Sequence, residues 1–300
     1  MVHLPSDVAG ACGRRRDVAV LTGALSRAAE RTLPLMPDAL AGPFAEVVGT
    51  LAYLAAPGAR RAVHANLSVV SPERNTEGVV RRVFVEQTRN YVEIFSIPRI
   101  DPKKLLARIR ADGWEHVARA YEQGKGVILA SAHLGPVSFV GQMVLAHGYP
   151  VALPVEVETS EFQRSVNRAR GGAGLQLIRT DSALGIFRFL REGKVLGILA
   201  DRAVTGVGER VEFFGREALL PSAAMVLSMR TGAPLIPAFA GRSDGVLTAS
   251  FEPPLVIPNT GNRDADVREG VQRFARVLEH YVRRTPEQWT VFEDFWHGTR

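Results

Sequence analysis

The sequence predicts an α/β protein: a mixed, largely parallel sheet flanked by helices, with an N-terminal helical region that docks on a membrane. Two observations carry that prediction. From Gly126 onward, apolar runs of strand length alternate with segments of helical periodicity, the pattern of a sheet covered on both faces. Before about residue 100, apolar residues recur only at helical spacing. The chain therefore divides into a membrane-associated helical region, 1–100, and an α/β core, 101–300.

Taken in order, Val18 to Arg31, Leu40 to Leu54 and Glu77 to Phe95 read as helices. "GVILASA" is the first strand of the core, with a helix from Val137 to His147 behind it. "YPVALPVE" is a strand followed by a helix from Glu161 to Arg170, and "LQLI" a short strand followed by a helix from Ser182 to Arg191. "VLGILAD" is a strand followed by a helix from Ser222 to Arg230. "PLIPAFAG" and "VLTASFEPPL" form a hairpin, and a long amphipathic helix runs from Asp264 to Arg284.

Composition narrows the functional classes. With 300 residues, 46% hydrophobic and 23% charged, the chain is long enough to bury a large core and too apolar for wholesale disorder. The net charge of +6 points to an anionic partner: a phospholipid surface, a phosphorylated cofactor, an acidic carrier protein or nucleic acid. Nucleic acid is set aside because no helix-turn-helix spacing, zinc module or aromatic-basic strand is present. The single cysteine, Cys12, excludes a disulfide framework and a cysteine-rich metal site, and fits a reducing compartment. No His, Cys or carboxylate cluster has metal-ligand spacing, so no metal is expected; His64, His116, His147, His280 and His297 read as surface or interface residues. Arg14, Arg15 and Arg16 precede an apolar stretch that Arg27, Glu30 and Arg31 break, which a secretory segment would not tolerate. Leu40 to Pro57 is the most membrane-like window, but Glu46 and two glycines interrupt it and it falls short of the ~20 apolar residues of a span. The expectation is a protein lying on the cytoplasmic face of the cell membrane.

Two motifs are set aside on context. "GRSDG", Gly241 to Gly245, has the spacing of a nucleophile elbow, which needs a helix after it; a strand follows instead, so Ser243 belongs to a hairpin. "TGVGERVEFFG", Thr205 to Gly215, lacks the Lys-Ser/Thr of a phosphate loop and reads as a flexible loop beside the site. The site itself is placed by the sheet. In open parallel sheets ligands bind beyond the carboxyl ends of the strands, and there the sequence puts His133 after one strand and Asp201 with Arg202 after another.

Six stretches in order strengthen this placement. "RRAVHANLSVV", "FVEQTRNYVEIF", "ILASAHLG", "NRARGGAGLQLI", the run from "GILADRAV" through "FFGREALLPS" to "RTGAPLIPAF", and "TPEQWTVFEDFW" together resemble the bacterial lipid A biosynthesis acyltransferases. Within that group they resemble the actinobacterial phosphatidylinositol-mannoside acyltransferases, of the lysophospholipid acyltransferase superfamily. The resemblance implies transfer of a fatty acyl chain from acyl-CoA or acyl carrier protein to a hydroxyl of a glycolipid or lysolipid, without a cofactor. It makes His133 the general base, with a carboxylate five positions later to orient the imidazole. Ser138 stands there. Three readings follow: His133 works with Ser138 alone, another carboxylate (Glu156, Glu158 or Asp201) takes the place in space, or the chain binds lipid without turning it over. The resemblance also gives Arg170 a phosphate or acidic headgroup to bind. Asp201 and Arg202 shape the site or pair with one another, and Glu212 with Phe213, Phe214 and Gly215 walls the acyl or donor pocket. A thioesterase, with water in place of the acceptor, is the remaining rival.

Overall fold

The computed structural model of the protein describes residue 23 and residues 26–203, 206–243 and 245–296. Cys12, Arg14 to Arg16, the start of the helix expected from Val18, Thr205 and His297 lie outside the described residues.

Among the described residues, a helical stretch over 26–32 precedes three longer helices of the N-terminal region: α1 (Asp38–Ala55), α2 (Pro57–Val70) and α3 (Glu77–Ser96). Proline has no N–H to continue the ladder but suits a first helical turn; Pro57 accordingly ends α1 and starts α2, which is bent from it by 100°. Among the described residues no single helix is long and apolar enough to cross a membrane; this bent pair passes only on combined length and composition. α1 lies against α3 where Gly49 meets Val85, so closely that a Cβ on Gly49 would stand 2.5 Å from Val85 Cα. Thr76 caps α3 by accepting the Val79 N–H. Val63 and Leu67 of α2 and Val80, Val83 and Phe84 of α3 join sheet residues such as Ile128 and Leu196 in one apolar cluster.

After α4 (Pro102–Arg108) come β1 (Ile109–Asp112), α5 (Trp114–Glu122), β2 (Val127–Ser131), α6 (Val137–Ala146), β3 (Val151–Val155), α7 (Glu161–Gly171), β4 (Gln176–Arg179), α8 (Ala183–Arg191) and β5 (Val195–Leu199). The hairpin β6 (Glu209–Phe213) and β7 (Arg216–Leu220) follows, then α9 (Ala223–Thr231), β8 (Leu235–Ser243), β9 (Val246–Phe251) and α10 (Arg263–Arg284). Seven strands form one sheet in the order β1-β9-β8-β2-β5-β3-β4. Every pairing in it is parallel except the β8–β9 hairpin. β2 is central and wholly buried, which explains its unbroken apolar run. Ser243 closes β8 opposite Val246, in the hairpin.

The structure holds elements that the sequence reading did not name: α4, α5, β1 and the β6–β7 hairpin. β1 is a four-residue edge strand with three exposed residues, too short and polar to stand out. The glycine-rich stretch expected as a flexible loop contains β6, paired antiparallel with β7. Its alternation, with Val211 and Phe213 buried and Arg210 and Glu212 exposed, is a period-two pattern only five residues long.

Candidate catalytic site

The central pair of strands brings the site together. β2 and β5 run parallel with Ser131 opposite Leu199, and the Ala200 N–H continues the ladder to the Ser131 carbonyl at 2.8 Å. Two residues further along each strand stand His133 and Asp201, so the register alone sets them side by side. Imidazole Nδ1 lies 2.8 Å from Asp201 Oδ1. The other carboxylate oxygen, Oδ2, accepts the backbone N–H of His133 at 2.9 Å and the indole Nε1–H of Trp289 at 3.1 Å.

The electrostatics follow from this cage. The Asp201 side chain is fully buried while that of His133 keeps 29% of its surface. Burial alone would push the Asp201 carboxyl up, but the His133 charge and the donors from His133 and Trp289 outweigh it and hold the group below the usual carboxylate range. An ionised Asp201 engages Nδ1, so Nε2 is the ring nitrogen left to take a proton from a substrate.

Ser138 sits in the first turn of α6, buried, and among the described residues no hydrogen bond joins it to His133. Of the carboxylates considered from the sequence, Asp201 is the one beside the ring. Glu158 is exposed and accepts from Asn167 Nδ2 at 2.8 Å. Glu212 is also exposed, and its backbone is bridged to Gln272 in both directions at 2.8 Å. Arg202 pairs through both arms of its guanidinium with Glu293, not with Asp201. Arg170 stands in the last turn of α7 with its carbonyl held by Gln142 of α6 at 3.0 Å; its buried Nε has no partner and burial pushes the guanidinium down. Among the described residues Arg170 makes no ion pair.

Sequence reasoning gave no role to Gln288, Trp289 or Thr290, although the stretch around them belongs to the resembling signature. A tryptophan 88 positions from its carboxylate partner carries no local signal of that contact.

The family described as bacterial lipid A biosynthesis acyltransferase matches residues 16–297. The chain is 24% identical over 279 residues to the phosphatidylinositol mannoside acyltransferase of Mycolicibacterium smegmatis, covering 89% of this chain and 88% of that one. It is 25% identical over 219 residues to the Mycobacterium tuberculosis protein of the same name, covering 69% and 67%.

Proposed function

The chain belongs to the bacterial lipid A biosynthesis acyltransferase family, and from that premise we propose that it O-acylates a glycolipid hydroxyl, with His133 as the base and Asp201 as its carboxylate partner. The observation that carries this reading is the 2.8 Å contact between Nδ1 and a fully buried Asp201. His133 Nε2 takes the proton of the acceptor hydroxyl as its oxygen attacks the thioester carbonyl carbon. The C–S bond then breaks, and the imidazolium returns the proton to the departing thiolate. Asp201 stabilises the imidazolium in between. The acceptor attacks directly, and the donor is acyl-CoA or an acyl carrier protein. A glycolipid acceptor agrees with the names of the mycobacterial relatives. Arg170, with no counter-ion among the described residues, is suited to an anionic group of donor or acceptor.

The test is thiol release from each acyl thioester with and without glycolipid acceptors, with the lipid products read by mass spectrometry. Release that depends on an acceptor and yields the acylated lipid is expected. Hydrolysis indifferent to acceptor would favour a thioesterase, and no turnover with any donor would favour a lipid-binding homologue.

The same reading places the reaction at an anionic bilayer surface on the cytoplasmic side. Leu40, Val47, Leu51 and Leu54 of α1 are exposed, and their spacing of seven, four and three puts them on one helix face. Buried Ala45 and Gly49 lie elsewhere on the same helix. Exposed Arg61 follows on α2, and each cation near an anionic surface is worth about 1 kcal/mol. Leu51→Glu with Leu54→Glu is expected to abolish cosedimentation with anionic vesicles at low salt, while the parent binds and is released as salt rises. Equal binding by parent and variant would refute docking through this face.

A further inference from the structure

The His133–Asp201 pair is held from a side that the His133 loop does not supply. The segment after α10, from the 3-10 turn Pro286–Gln288 into Trp289 and Thr290, runs antiparallel to that loop. The Thr290 N–H donates to the His133 carbonyl at 2.9 Å, and the Gly135 N–H donates to the Gln288 carbonyl at 2.9 Å. Between these two bonds Trp289 points its Nε1–H at Asp201 Oδ2. That oxygen is then shared by the indole and the His133 backbone, so Oδ1 is the oxygen left to the imidazole. Trp289 is 3% exposed and Asp201 0%, so bulk water does not compete for these bonds. Phe213 and Phe295 pack on the indole with ring centroids 6.1 and 5.2 Å away, fixing its plane.

We propose that Trp289 is the positioning residue of the catalytic pair: its indole N–H locks the Asp201 carboxylate so that Nδ1 of His133 carries the proton and Nε2 acts as base. This deepens the acyltransferase reading and rests on it. An indole is a donor only, so it favours the ionised carboxylate and makes the pair harder to protonate. Among the described residues, the other charged groups that act on Asp201 are His133, just beyond β2, and Arg202, next in the chain; Arg202 is in turn paired with Glu293 and also feels Glu156.

Trp289→Phe keeps a ring in the aromatic cluster and removes the donor. In substrate-free protein, NMR titration of the His133 ring should show the pair's midpoint rising by roughly one pH unit, the scale of one charge-assisted hydrogen bond. In the acyl-transfer assay kcat should fall by about tenfold with KM unchanged, and the acid limb of the pH profile should move upward with the NMR midpoint. A variant that has merely lost packing would lose amplitude at every pH without moving the midpoint, and that result overturns the proposal. Should the variant fail to fold, the parent decides: the Trp289 indole ¹H–¹⁵N resonance should titrate in step with His133, and an indole blind to that titration overturns the proposal. Because the titration needs no substrate, a shifted midpoint with no acyl transfer from any donor supports the positioning role while removing the acyltransferase reading.

Discussion

His133→Ala is expected to reduce acyl transfer to background and to leave the protein folded. The side chain lies at the mouth of the strand ends and is 29% exposed, so its removal opens no cavity in a packed layer. The backbone bonds of residue 133, to Asp201 and from Thr290, do not involve the ring. What is lost is the base, and with it a factor of about 10²–10⁴. The buried Asp201 also loses one donor, at a stability cost of about 1–3 kcal/mol. Turnover of acyl thioester with acceptor, alongside circular dichroism and a thermal melt, checks both halves. Activity within about threefold of the parent would remove His133 from the role of base.

Asp201→Asn is expected to be nearly as severe, for a different reason. The amide has the shape of the carboxylate, and its oxygen can still accept from the His133 backbone and from Trp289. Its NH₂ then faces Nδ1, which must become an acceptor, so Nε2 carries the hydrogen and can no longer act as base. Loss of turnover by about 10³–10⁴ follows, the scale of the same change in a serine-protease triad. The parent and variant should also differ in acid. The Asp201 carboxyl is held below its ordinary range. The stability it contributes is therefore present above the unfolded carboxylate value and lost as pH falls through the lower native one. Thermal melts across that window should show the parent losing this contribution and Asp201→Asn lacking it. A companion change, Ser138→Asp, should alter turnover by less than about tenfold, since the carboxylate place is already filled. A large gain from Ser138→Asp would show instead that Asp201 does not serve the ring.

Much of the frame is readable in the sequence. The apolar runs of β2, β5 and β8 stand out because they are largely buried on both faces, and that of β3 because turn residues bound it. His133 and Asp201 were each legible as strand-end residues. From the sequence, Asp201 is one of three carboxylates offered within one of three readings, because the partnership depends on β5 lying beside β2 in a fixed register, a long-range fact that spacing along the chain does not encode. The expectation of a carboxylate five positions on is a local rule, and it led to Ser138. The role of Trp289 is hidden for the same reason as the pairing: its partner lies 88 positions away along the chain. The β6–β7 hairpin was missed because flanking glycines masked a five-residue alternation.

One long helix links α1 to the segment beside the candidate site. The first half of α3 carries Val85, pressed against Gly49 of α1. From its middle onward it holds Arg242 at the end of β8 through Glu86, Glu93 and, at 2.8 Å, Asn90. The backbone of Arg242 is bonded in both directions to Gln288, at 2.8 Å each way, in the segment that grips the His133 loop. Buried ion pairs of this kind are costly to break from one side, by about 3–5 kcal/mol, so α3 works as a strut of fixed length. With α1 seated on a bilayer as proposed, the imidazole stands at a set height above the lipid surface. Acceptors would then be sorted by reach: a hydroxyl held at that height by its sugar is acylated, and one lying deeper or extending further passes by, whatever the chemistry of its ring.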